Sequence, residues 1–121
     1  MANRLACERA DLVSAVAPVA GTLSMSIGCN PSRPVSVLAV HGTADPVVPY
    51  TGGAMIGRGG PSDIVSAPSM AERWRALDNC PVPPAPDPGG FMATGCAGGA
   101  RVEFVSVDGG GHVWPVGPAF N

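Results

Sequence analysis

The feature that most constrains this chain is the run "VSVLAVH" (residues 35–41), which passes without a break into "GTADPVVPY" (42–50). The run is apolar on both sides of a period-2 pattern and rich in β-branched residues, which suits a strand covered on both faces in a parallel sheet. Such a strand needs helices packed against it, so it commits the chain to an α/β layer architecture. The exit from the strand is not that of an ordinary loop. One acid, Asp45, stands between a strand end and two prolines, Pro46 and Pro49, whose fixed φ angles stiffen the turn.

The rest of the chain supplies the covering elements. Residues 2–12 place Ala2, Leu5, Ala6, Ala10 and Leu12 at roughly helical spacing, and residues 68–78 ("PSMAERWRALD") place Met70, Trp74 and Leu77 on one side of a second helix. Residues 13–20 ("VSAVAPVA") read as a short buried strand ended by Gly21, and 101–107 ("RVEFVSV") alternate as a third strand. Residues 22–34, the glycine-rich 51–67 and the proline-rich 79–100 read as loop or connection. The expected order is helix, strand, strand, helix, strand. It predicts a single domain over 1–121 with a three-stranded parallel sheet and flanking helices.

Composition excludes several classes. Hydrophobic residues make up 45% of the 121 residues and charged ones 13%, which argues against disorder. A net charge of −2 gives no electrostatic footprint for nucleic acid or for an acidic membrane surface. No run approaches the length of a membrane helix, and no signal peptide opens the chain. The four cysteines (Cys7, Cys29, Cys80, Cys96) lack metal-ligand spacing. They fit either two disulfides, in any of three connectivities, or buried thiols.

In open α/β sheets chemistry gathers beyond the carboxyl ends of the strands. Asp45 follows one strand, and His112 follows the next in the turn "DGGGHVWP". An aspartate and then a histidine in those positions match the acid and base of a serine hydrolase, in the chain order Ser, Asp, His. The acid must be immobile because it holds the imidazole in one tautomer. Glycines 109–111 let the backbone turn back toward it. His41 is expected to bury its ring at the strand end and bond backbone. Trp74 and Trp114 are candidates for a pocket wall or for packing. Neither glycine run opens a helix as a phosphate loop does, so no nucleotide site is read.

"LACERADLVSAVAPVAGTL", "PVSVLAVHGTADPVVPYTGG", "ERWRALDNC" and "VDGGGHVWP" resemble the polyhydroxybutyrate depolymerase and feruloyl or acetylxylan esterase group of α/β hydrolases. The resemblance implies a partial α/β-hydrolase fold, hydrolysis of short-chain, feruloyl, acetyl or polyester carboxylic esters, secretion, and no cofactor or metal. It assigns Asp45 as triad acid and His112 as base. It also implies the pairing Cys80–Cys96, leaving Cys7–Cys29. The family's Gly-x-Ser-x-Gly elbow is expected upstream of "MANRLACE", together with the first five strands and the oxyanion-hole loop, and a closing helix is expected after "GPAFN". Within the chain the leading nucleophile candidate is Ser26 in Ser24-Met-Ser26-Ile-Gly28, although the prolines at 31 and 34 do not allow the helix an elbow needs. Ser14 and Ser32 are weaker candidates, and a serine from a partner chain or a water activated by His112 are the alternatives to an in-chain nucleophile. The other function class is a catalytically silent fragment that survives as a folded, associating domain. In either case the edge of strand 13–20 is expected to be bare and apolar, which invites a homo-oligomer.

Overall fold

Val37 and Leu38 head the central ladder of the fold, in which strand β2 (Ser36–Gly42) pairs in parallel with β6 (Val102–Val107) from Val37↔Val102 to Gly42↔Val107. The computed structural model describes residues 2–25, 28–57, 60–81 and 89–112. In chain order the other elements are α1 (Ala2–Glu8), β1 (Ala15–Val16), β3 (Gly53–Gly57), β4 (Gly60–Ile64), α2 (Ala67–Leu77) and β5 (Gly90–Ala93). The main sheet runs β1-β2-β6-β5, and β3 and β4 form a separate antiparallel hairpin.

The expected three parallel strands are present as β1, β2 and β6, but the sheet is not all parallel. It is four-stranded and mixed, because β5 adds antiparallel to β6 from Gly90↔Val105 to Ala93↔Val102. Gly90 permits this: at φ +120° a Cβ would lie 1.8 Å from the Phe104 carbonyl oxygen, so only a glycine lets the two backbones approach. The segment 79–100 therefore holds a strand where a loop was expected, and 51–67 holds a hairpin. The first strand is shorter than 13–20. Its ladder breaks after Val16 and returns as a single bridge, Val19↔Val40, with Pro18 between them accepting from the Val40 N–H through its carbonyl. The first helix ends at Glu8 rather than Leu12, and the carbonyls of Ala10 and Asp11 accept from the Arg33 guanidinium instead.

Helix α2 starts on Ser66, whose Oγ accepts from the Ser69 N–H at 3.2 Å, with Pro68 in the first turn where its missing N–H is not needed. Its buried face carries Met70 and Trp74 into the core beside Val35, Val37 and Val102. The Trp74 ring is fully buried, and its Nε1–H donates to Asn3 Oδ1 of α1 at 2.9 Å, so the two helices are joined through a satisfied polar pair. Two disulfides, Cys7–Cys29 and Cys80–Cys96, close sequence separations of 22 and 16 residues. In the chain-entropy view each contributes about 3 kcal/mol. Among the described residues no helix is long and apolar enough to cross a membrane.

Candidate active site

Parallel pairing of β2 with β6 puts His41 opposite Ser106 and Gly42 opposite Val107, so the loops that leave these strands start side by side. They are bonded together. The Thr43 N–H donates to Val107 O (3.0 Å), the Ala44 N–H to Gly110 O (3.0 Å) and the Gly109 N–H to Thr43 Oγ1 (2.7 Å). Gly42 makes the crossing possible. A Cβ there would stand 2.1 Å from the Gly110 carbonyl oxygen, a distance no side chain tolerates. The sequence alone assigns no role to Gly42 or Thr43. The available signal was a glycine ending a strand, which often marks close backbone approach.

The joined loops bring Asp45 and His112 together. Asp45 Oδ2 and His112 Nδ1 are 2.8 Å apart, and the Asp45 side chain is fully buried while that of His112 is 40% exposed. The other carboxylate oxygen, Oδ1, accepts from the N–H groups of Val47 (2.8 Å) and Val48 (2.9 Å), an Asx-type turn that fixes the side chain's rotamer. Burial pushes the Asp45 carboxyl up, but the bond from His112 and the N–H groups of Val48 and Val47, with the His112 charge, outweigh it and hold the carboxyl below its ordinary range. Asp45 is therefore an anion at neutral pH.

The chemistry follows from that geometry. A buried carboxylate on Nδ1 holds the proton there and leaves the opposite ring nitrogen, Nε2, as the basic one. The same carboxylate stabilises the imidazolium that forms when Nε2 takes a proton. His41 is buried, as expected, with Nε2 2.8 Å from Val48 O and 3.5 Å from Asp45 Oδ2. Its ring meets Tyr50 edge-on, and the Tyr50 hydroxyl reaches Ser106 Oγ at 3.0 Å. Beside the acid turn lies an apolar groove of about 700 Å³ lined by Pro46, Val47, Pro49, Met55, Ile56 and Pro61. Among the described residues no group of His, Cys, Asp and Glu could hold a metal.

The remaining sequence candidates separate from this pair. Ser26 and Trp114 lie outside the described residues. Ser14 precedes β1, at the opposite end of the parallel strands from Asp45 and His112. Trp74 belongs to the core, not to a pocket wall.

No family model matches the chain. It is 33% identical over 120 residues to "Feruloyl esterase B" of Piromyces equi, which covers 93% of this chain and 22% of that protein. It is 35% identical over 136 residues to "Putative esterase NocK" of Nocardia uniformis subsp. tsuyamanensis (97% of this chain, 40% of that protein). It is 30% identical over 125 residues to "Probable feruloyl esterase C" of Aspergillus niger, again 97% and 40%. The similarity runs through nearly the whole chain and supports an esterase family. The chain spans 40% or less of the length of these relatives.

Proposed function

We propose that this chain carries the acid and base of a carboxylic ester hydrolase, with Asp45 and His112 as two members of a Ser-His-Asp triad. The observation that carries the reading is the 2.8 Å contact between the buried Asp45 Oδ2 and His112 Nδ1, at the carboxyl edge of a parallel strand pair. The esterase names of the relatives support the same chemistry. In this reading His112 Nε2 takes the hydroxyl proton of a serine as its Oγ attacks the ester carbonyl carbon. The tetrahedral adduct collapses, the C–O bond to the alcohol breaks, and His112 returns the proton to the departing alkoxide. Water then repeats the sequence on the acyl-enzyme and releases the acid. Ser26 is the in-chain nucleophile proposed. The apolar groove beside the acid turn supports an acyl group without charge, such as a feruloyl, short-chain or polyester unit. The two disulfides support an oxidising, extracellular setting.

The test is hydrolysis of short-chain nitrophenyl esters by the purified chain, with His112→Ala and Ser26→Ala as controls. Loss of turnover in both variants, with the fold retained, is the expected result. Turnover that survives His112→Ala would remove the reading.

One observation favours a second reading, a silent but folded and associating domain. Strand β1 stands at the end of the main sheet, and the chain spans 40% or less of the length of its relatives. In that reading the property that survives is pairing at the outer edge of β1, the end strand of the main sheet. A homo-oligomer by light scattering, with no turnover, is its signature.

A further inference from the structure

Two hydrogen bonds through Val48 and one longer contact form a closed circuit. The Val48 N–H donates to Asp45 Oδ1 at 2.9 Å, while its carbonyl oxygen lies 2.8 Å from His41 Nε2. A carbonyl oxygen only accepts, so His41 must carry its proton on Nε2. That same N–H sits 3.5 Å from Asp45 Oδ2, too long for a strong hydrogen bond but close enough for its partial positive charge to face the carboxylate. His41 itself is fixed in β2, paired with Ser106, and buried against Tyr50. The ring therefore ties the turn that holds the acid to the central strand of the sheet.

From this we infer that His41 is a positioning residue for the acid, holding the Asp45 turn through Val48 so that Oδ2 meets His112 Nδ1; the inference rests on reading Asp45 and His112 as the catalytic pair. His41 touches no reacting atom. It acts through Val48 and Asp45, and the chemistry it needs is one N–H donor at the Nε2 position. Glutamine supplies such a donor at a comparable reach, and phenylalanine fills the volume without it.

The experiment reads ring nitrogens and amides of the full chain by NMR and needs no turnover, so a chain that fails to hydrolyse esters leaves it intact. Nitrogen-15 spectra at neutral pH are expected to show His41 protonated on Nε2 and His112 on Nδ1. In His41→Phe the His112 ring is expected to become a mixture of tautomers, and the Val48 amide to exchange about tenfold faster, the scale of one lost hydrogen bond. His41→Gln is expected to restore both. A general loss of stability would speed all core amides together and would leave the His112 tautomer unmoved in the folded molecules. An unmoved tautomer and an unchanged Val48 amide in His41→Phe would overturn the inference. If that variant does not fold, the unmodified chain decides: His41 protonated on Nδ1 with Nε2 bare overturns it, and the reverse supports it.

Discussion

Two aspartates are buried among the described residues, and they are built in opposite ways. Asp45, at the carboxyl edge of the sheet, is surrounded by donors: two backbone N–H groups on Oδ1 and the His112 ring on Oδ2, with the His41 ring nearby. Asp78, at the end of α2, is fully buried, and its Oδ1 accepts one N–H, from Val35 at 3.1 Å. Its Oδ2 has no hydrogen-bond partner among the described residues. Burial pushes the Asp78 carboxyl up, and the single bond from Val35 only partly offsets this. Burial alone therefore does not decide the charge of a carboxyl. Donors placed in advance keep Asp45 charged, and their absence biases Asp78 toward its neutral form.

The sharpest way to break this contrast is Asp45→Asn. The amide removes the charge and reverses one donor, so His112 loses the partner that sets its tautomer. Ester hydrolysis is expected to fall about 10⁴-fold with the fold retained. A loss of only a few-fold would mean that His112 acts without the acid.

Gly42→Ala comes next, because it disturbs the site without touching either titrating group. The added Cβ meets the Gly110 backbone oxygen, so the two loops must part. A destabilisation of about 3 kcal/mol in denaturant unfolding is expected, together with lost turnover. Full activity in a stable variant would show that the crossing of the loops is not what pairs acid with base.

The smallest expected effect, and of opposite sign, is Asp78→Asn. The folded Asp78 carboxyl is raised above its unfolded value, so folding favours the protonated form. The resulting penalty is absent below the unfolded pKa of about 3.9 and grows as pH rises through the folded one. Asparagine removes the charge and keeps an acceptor for the Val35 N–H. It is expected to stabilise the protein by about 1 kcal/mol at neutral pH and by less in acid. Asp45 follows the reverse sign. Its lowered carboxyl contributes stability above the unfolded value, and that contribution is lost as pH falls through the folded one. Thermal melts from neutral to acid pH should show Asp45→Asn losing part of the acid-side slope, and Asp78→Asn gaining least where the wild type is already protonated.

Much of this was legible in the sequence because it is written locally. The apolar run 35–41 and the alternation at 101–107 fall within a residue or so of β2 and β6, and the Pro68 start and Met70–Trp74 spacing fall on α2. Asp45 and His112 were legible as candidates because each follows one of those strands. What was not legible depends on a partner segment. Strand β5 is four residues long, too short for a period, and exists through its pairing with β6 and the glycine at 90. The hairpin β3–β4 has glycines at three of its four ends, and composition alone marks those as connection. The circuit through His41, Val48 and Asp45 could not be read either, because it depends on which side of a turn a carbonyl faces.

Titration of the aspartate side-chain carboxyl carbons by NMR, on the unmodified chain, tests the central claim most directly. The Asp45 carboxyl is expected to titrate below the ordinary aspartate value and the Asp78 carboxyl above it. An Asp45 carboxyl that titrates at or above that of Asp78 would contradict the claim that its donors hold it as the anion a catalytic acid–base pair requires.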